Sequence, residues 1–480
     1  MPTLPSLTFA PSTAFRPPMQ GITLVVYAPF GTDTTLSDYL LKPPDPARPK
    51  EPEVARHPIV TQLRNVADAG VNVCALVDRV DDDTWLLEIP AGRRDQERLT
   101  SRSKNDMRSW RTLGALLRHA AESRPGTALV LALEGHGAGF LPDVDFAAAA
   151  NTSPAVSPTM GAPLLGMGSP LLPGHCPLST LALRKALADA QALHPNRLAV
   201  IHLNNCFNMS VEVLHTIAPF ADFATGYMNY NFFSAGQTYA NVFQKIQTEG
   251  HGTASTALLA RWIAEANRAH LSGNEPTAGG AVQLTRMAGI ADAIDALAGA
   301  LVTAMTVKPA ARMTNVDKIR SAIANAQQYD TVGSWDLEVP DELTDIGSLA
   351  SRLLSFDGDN AVQVKTAAEK LLHALSGIKV YGVSGSPYVA PERVWNLTGP
   401  NLAMNILCPD PLRTGTWDWR SPYYLRQGAK GEPPPEIDFL TRKKNWVNFI
   451  VEYHRDVPFV ALRPSRIPPY PVDLTSFPPP

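Results

Sequence analysis

Residues 198–209 read Leu-Ala-Val-Ile-His-Leu-Asn-Asn-Cys-Phe-Asn-Met. Leu198 to Leu203 is an apolar run of strand length, and a helical pattern takes over near Met209. Asn204, Asn205 and Cys206 sit at the junction. A second stretch has the same build: Leu131-Ala132-Leu133-Glu134-Gly135-His136-Gly137-Ala138-Gly139. Each strand runs into a reactive side chain where a loop or helix begins. In a parallel sheet both ends reach the same edge, and open α/β sheets hold ligands and catalytic groups there.

The flanking sequence extends this pattern. Gly21 to Tyr27, Val71 to Asp78 and Thr127 to Leu133 read as buried strands, and Thr84 to Ile89 as a short antiparallel one. Arg108 to Ser123 has Trp110, Leu113, Leu117 and Ala120 at helical spacing and stops at Pro125-Gly126. Thr180 is the expected cap of a helix with Leu183, Leu187 and Ala190 on one face. Strands separated by helices predict an α/β fold, a mostly parallel sheet sandwiched by helices, over residues 21–250. Residues 251–455 read as a mainly helical C-terminal region, with helices near 254–270, 280–306, 314–328, 343–355 and 361–376. Closing strands are expected at 378–383 and 403–408, and a last helix near 446–454. Residues 1–20 and 456–480 are Pro-rich segments, and 143–178 is a long loop rich in Pro, Ser, Gly and Ala.

Bulk composition excludes several function classes. The chain has 480 residues, 45% of them hydrophobic, enough for one large core with an extension. A formal charge of −3 gives no basic footprint, so nucleic acid is not an expected partner. No run of about 18 uninterrupted apolar residues predicts a membrane span. Four cysteines in so long a chain do not make a disulfide framework. The first residues, Met1 to Pro18, lack a charged stretch followed by an apolar run, so no secretory signal is visible. Together these features predict a cytoplasmic location with usable free thiols.

Cysteine attacks as thiolate, and a helix N-terminus beside an imidazole lowers its pKa. Histidine can protonate a leaving amine near neutral pH. Cys206 and His136 therefore form a candidate nucleophile and partner, with the backbone N–H groups of Gly137 and Cys206 as candidate oxyanion donors. The competing reading is plain: a cysteine after a strand is usually a packed core residue, and His-Gly is usually a turn. Other residues carry less. His202 and Cys206 could suggest a metal pair, but no further ligand spacing is near, so no metal and no cofactor are expected. His175-Cys176 lies in the long loop, Trp417 and Trp419 read as packing residues, and Asp81-Asp82-Asp83 reads as a solvated turn. Ser384-Gly385-Ser386 is a turn, and no Gly-x-Ser-x-Gly or phosphate-binding loop is present.

Gly135-His136-Gly137 after an apolar strand resembles the histidine motif of the clostripain family, written Trp-Asp-His-Gly-Gly-Gly. Asn204-Asn205-Cys206-Phe207-Asn208-Met209, followed by Val211-Glu212-Val213, resembles its cysteine motif, Asp-Ala-Cys-Leu-Met with Val-Glu-Val following. Leu24 to Tyr27, Val71 to Arg79, Ala221 to Gly226, Asp345 to Leu349, and residues 403–409 and 446–453 are similar to further family segments in the same order. The resemblance covers about 20–455. It implies a caspase-like fold, a Cys206–His136 dyad and cleavage of a protein substrate, with a co-expressed effector as one candidate. The family's acid two residues before the cysteine selects Arg or Lys at P1, the residue before the scissile bond. Here Asn204 stands in that place, with Asn205 and Glu134 as further candidate substrate-binding residues. A neutral amide cannot neutralise a buried guanidinium, so strict Arg/Lys specificity is not expected unless an acid such as Glu134 or Asp222 restores it. The alternatives are a catalytically silent peptide-binding protein on the same fold, or a cysteine hydrolase acting on a non-peptide amide.

Overall fold

The computed structural model describes residues 21–457, apart from 33–35, 38–40, 45, 47–49, 80–82, 103–105, 108, 142–177, 194–196, 232–237, 250–254, 270–272, 330–342, 387–394, 398, 400, 410–423 and 425–436. The two Pro-rich ends, nearly all of the long loop, His175-Cys176, Trp417, Trp419, Asp81 and Asp82 lie outside the described residues.

The strands are β1 (Ile22–Pro29), β2 (Asn72–Arg79), β3 (Asp83–Ile89), β4 (Arg98–Ser101), β5 (Ala128–Glu134), β6 (Leu198–Asn204), β7 (Ala221–Tyr227), β8 (Thr277–Gln283), β9 (Leu343–Asp345), β10 (Lys379–Val383) and β11 (Asn405–Leu407). A nine-stranded sheet has the order β10-β8-β7-β6-β5-β1-β2-β3-β4. Its centre, from β2 through β1, β5 and β6 to β7, is parallel. β3 and β4 extend one side antiparallel, and β8 and β10 the other. β9 and β11 pair separately.

The helices are α1 (Pro58–Asp68), α2 (Trp110–Ser123), α3 (Thr180–Leu193), α4 (Val211–Ile217), α5 (Tyr239–Thr248), α6 (Thr256–Ala269), α7 (Met287–Thr306), α8 (Arg312–Ala324), α9 (Ile346–Leu353), α10 (Ala361–Leu375), α11 (Asp438–Arg442) and α12 (Lys444–Tyr453). They cover both faces of the sheet, which is why β1, β5 and β6 are mostly apolar rather than alternating. Leu24, Val26, Val130 and Val200 pack against Ile59, Leu63, Phe243 and Trp262 of α1, α5 and α6. Val25, Leu131, Ile201 and Leu203 face the other way, onto Leu113, Leu183, Val213 and Leu214 of α2, α3 and α4. Each fully buried aliphatic side chain of this kind contributes roughly 1.5–3 kcal/mol.

Three expectations change in detail. Residues 280–286 are not helical: Thr277–Gln283 is a strand, and the long helix starts at Met287. Together with the short 3-10 turn before it, this helix spans residues 284–306, long and apolar enough to cross a membrane, but Ile290, Ile294, Leu297 and Leu301 are buried in the core against α10 and α12. The helix after the long loop is capped by Ser179, whose Oγ accepts from the Ala182 N–H at 3.0 Å, and Thr180 is its first residue. The chain after residue 250 also contributes two strands, β8 and β10, to the main sheet.

Candidate active site

β5 and β6 are neighbours, with Leu133 opposite Leu203 and Glu134 opposite Asn204. His136 and Cys206 each follow this last pair by two residues, so the register delivers both to one edge. Gly135 and Gly139 have φ of +95° and +68°, which glycine alone adopts without strain. Gly137 lies directly on the cysteine loop: a Cβ there would collide with the Cys206 carbonyl and come within 3.1 Å of its nitrogen. The two loops are also joined by hydrogen bonds. The Gly139 N–H donates to Asn208 Oδ1 at 3.1 Å, and Asn208 Nδ2 donates to Asn205 Oδ1 at 2.7 Å. Among the described residues, neither the Gly137 nor the Cys206 N–H donates to a protein group.

A cavity at this edge is lined by His136, Gly137, Asn205 and Asn208, with Tyr27 and the start of α3. Cys206 does not line it. Its Sγ accepts instead from the Asn231 N–H at 3.3 Å, beyond β7. The thiol is buried, and burial pushes its pKa up to about 11, with the Asn231 N–H offsetting only part. The helix that was expected to begin near Met209 begins at Val211, with Ser210 as cap. Val211 is five residues past Cys206, so the thiol is not part of the first turn of α4.

Phe207 follows the cysteine with φ of +60°, a left-handed conformation that costs a side-chain-bearing residue roughly 1–2 kcal/mol. Such strain persists only where the surroundings over-determine it. Here the Phe207 N–H donates to the Asn229 carbonyl at 2.9 Å. Its own carbonyl accepts from Asn405 Nδ2 at 2.8 Å. The ring is buried and meets Tyr230 edge-on at 4.8 Å between centroids. Next along, Glu212 of α4 accepts from the Leu407 N–H and the Tyr424 hydroxyl, both at 2.9 Å, tying the closing strand β11 to the cysteine helix.

Below the edge, Asn204 Nδ2 donates to both oxygens of buried Glu134, at 2.9 and 3.0 Å. Tyr239 of α5 also donates to Glu134, and Asn231 Nδ2 donates to Asn204 Oδ1 at 3.0 Å. Asp222 stands at the other end of β7, paired with Arg197 at 3.0 Å, and is not part of the site. His202 bonds Thr225 through Nδ1 at 2.9 Å, and its buried Nε2 makes no hydrogen bond among the described residues. Burial lowers its pKa to about 4. Asn231, Tyr239, Asn208 and Asn405 are the neighbours that sequence reasoning missed. Asn208 was within reach, since it lies in the cysteine motif. The others meet the site through long-range contacts that no local pattern announces.

This architecture matches solved structures. A secreted C11 cysteine protease from Bacteroides thetaiotaomicron, "iotapain", aligns with TM-score 0.52 and 12% identity, over 81% of this chain and 94% of that one. The fold is that of the clostripain-family, or C11, cysteine proteases. A secreted C11 protease from the same organism, bound to an irreversible peptide inhibitor, aligns with TM-score 0.50 and 13% identity, over 88% and 99% of the two chains. An inactive zymogen C11 protease from Parabacteroides distasonis gives 0.50 and 14%, over 92% and 99%. No protein-family model and no curated protein sequence matches the chain.

The C11 neighbours correct one expectation. Two are described as secreted, which points away from a cytoplasmic location. The cytoplasmic expectation rested partly on free thiols needing a reducing compartment. Among the described residues, Cys74, Cys206 and Cys408 are buried and in no disulfide, and packing protects a buried thiol in either compartment.

Proposed function

We propose that this chain is a cysteine endopeptidase in which Cys206 passes its thiol proton to His136 and attacks the scissile carbonyl. His136 returns that proton to the leaving amine as the C–N bond breaks, and water then hydrolyses the acyl-enzyme to free the thiol. The observation that carries the reading is the meeting of two glycine-shaped loops at the β5–β6 edge, with Gly137 lying on the Cys206 backbone. Two N–H groups, of Gly137 and Cys206, remain for a developing oxyanion. Such a donor typically contributes about 3 kcal/mol to the transition state. The chain also shares its fold with cysteine proteases, one of them bound to a peptide inhibitor.

Residues 21–250 carry the nucleophile and its partner, and 251–455 close the sheet and brace the cysteine loop. The thiol is held on Asn231, so attack requires Sγ to leave that N–H and turn toward His136. Asn204 and Glu134 form the floor for the P1 side chain, with Asn205 at the rim. The Glu134 carboxylate is engaged by Asn204 and Tyr239. A guanidinium would have to displace these donors, so P1 preference is not strictly Arg or Lys. The substrate is a protein or peptide. An intracellular co-expressed effector loses its support with the cytoplasmic location.

The test is a peptide-library cleavage profile, wild type against Cys206→Ala. Cleavage by wild type alone, at P1 residues that include uncharged ones, is the expected result. Cleavage by both, or by neither, rules the reading out. Labelling of Cys206 by a peptidyl electrophile without any peptide cleavage would favour a hydrolase of non-peptide amides.

A further inference from the structure

We infer that Asn405 is a positioning residue for the Cys206 nucleophile: from β11, its amide holds the left-handed Phe207 and so fixes the Cys206 backbone beside Gly137. The inference rests on the peptidase reading above. Asn405 is fully buried and comes 198 residues after Phe207. One side-chain nitrogen serves two main-chain carbonyls, Phe207 at 2.8 Å and Met228 at 2.7 Å. The Asn405 backbone N–H donates to a third, Met209, at 3.1 Å. Two of these carbonyls belong to the turn that carries Cys206, and the third to the end of β7.

The geometry links these bonds to the nucleophile. The Cys206–Phe207 peptide plane turns about the Phe207 N–Cα bond, whose φ is +60°. Anchoring the Phe207 N–H on Asn229 and its carbonyl on Asn405 fixes both sides of that bond. The Cys206 carbonyl is thereby set against the Gly137 Cα, where no side chain fits. Asn405 Oδ1 lies beside the same glycine loop, at Gly139. It accepts no hydrogen bond among the described residues, and it would stand 3.7 Å from a Cβ at Gly139. Leaving an acceptor buried and unpaired is unfavourable. An asparagine kept here despite that cost is explained by the two N–H groups that an apolar residue lacks.

The test is steady-state cleavage of a library-selected peptide by wild type, Asn405→Ala, Phe207→Gly and the double variant, with Cys206→Ala as blank. Asn405→Ala is expected to lower kcat about tenfold or more with KM within about twofold. In the Phe207→Gly background the same change should cost clearly less, because glycine enters the left-handed region unaided. An unchanged kcat, or an equal loss in both backgrounds, overturns the proposal. If Asn405→Ala does not fold, Asn405→Ser takes its place under the same two outcomes. Iodoacetamide labelling gives a readout independent of turnover. Asn405→Ala should speed alkylation of Cys206 about fivefold or more while Cys74 keeps its wild-type rate. Parallel changes at both cysteines, or none, overturn the proposal. A wild type that cleaves no peptide sinks the peptidase reading instead, and the labelling then decides the Asn405 proposal alone.

Discussion

Asn204 Nδ2 lies 2.9 and 3.0 Å from the two carboxylate oxygens of Glu134, so a neutral amide caps a buried acid on the next strand. The pair occupies one row of the sheet, opposite each other in register. Each residue explains the other. Glu134 needs a donor beside it, and Asn204 supplies one where a second acid would repel.

Asn204→Asp therefore sets two carboxylates at hydrogen-bond distance, where both cannot ionise. The variant should be less stable than wild type by about 2 kcal/mol or more at pH 8, with part of the gap recovered at pH 5 as one carboxyl takes a proton. Urea midpoints at the two pH values measure this. A gap that does not change with pH would mean that charge is not its cause.

Burial holds the Cys206 thiol at a pKa of about 11, so the resting protein carries little thiolate at neutral pH. Iodoacetamide labelling of Cys206 should accelerate about tenfold per pH unit between pH 7 and 10. A plateau already reached near pH 8 would contradict the buried, protonated thiol. In turnover, His136→Ala should lower kcat by about a hundredfold or more, the usual range for losing a general acid.

Gly137→Ala forces a methyl into the Cys206 carbonyl. The variant should fold, by circular dichroism, yet lose about a hundredfold in kcat, as expected when an oxyanion donor is displaced. Gly289→Ala is the matched control. It lies in α7 with nothing near its missing Cβ, so helix propensity should raise stability by about 0.5–1 kcal/mol and leave kcat alone.

His202 and His454 are buried, and burial holds their pKa values at about 4 and about 3, below the ordinary 6.5. Below pH 6.5 the unfolded chain binds more protons at these sites, so their contribution to stability is full above 6.5 and is lost as pH falls toward 4. For His202 that is about 3 kcal/mol. Asp345 works the other way. Burial raises it from 3.8 to about 6, so its contribution is lost as pH rises through that interval. Two histidines outweigh one aspartate, and unfolding free energy should drop on acidification from pH 6.5 to 4. His202→Asn should flatten the slope. An unchanged slope would place the proton uptake elsewhere.

The α/β class was legible because β1, β5 and β6 are buried on both faces and so read as mostly apolar runs, broken only by Thr23 in β1 and by His202 and the terminal Asn204 and Glu134 in β6 and β5. His136 and Cys206 stood out because each interrupts such a run at its end. β8 was hidden for a physical reason. Its sequence, Thr-Ala-Gly-Gly-Ala-Val-Gln, has β-branched residues only at Thr277 and Val282 and small ones at Ala278 to Ala281. Small residues are required there: a Cβ at Gly279 would stand 2.6 Å from the Tyr381 hydroxyl, and one at Gly280 would run into the Lys379 carbonyl. The strand that best fits its neighbours thus looks least like a strand. The thiol's own contact was equally hidden, since Asn231 reaches Sγ from 25 residues away. The Glu134–Tyr239 bond spans 105 residues, and neither end has a pattern that names the other.

The hold on Phe207 also has a temporal side. Translation delivers Cys206 and His136 long before it delivers Asn405, because the bracing residue lies in β11. A nascent chain halted between Cys206 and β11 carries the thiol without its brace. On the proposed reading, full bond-cutting competence is therefore acquired only once β11 has been made and has folded back, and a copy still lacking it cuts more slowly.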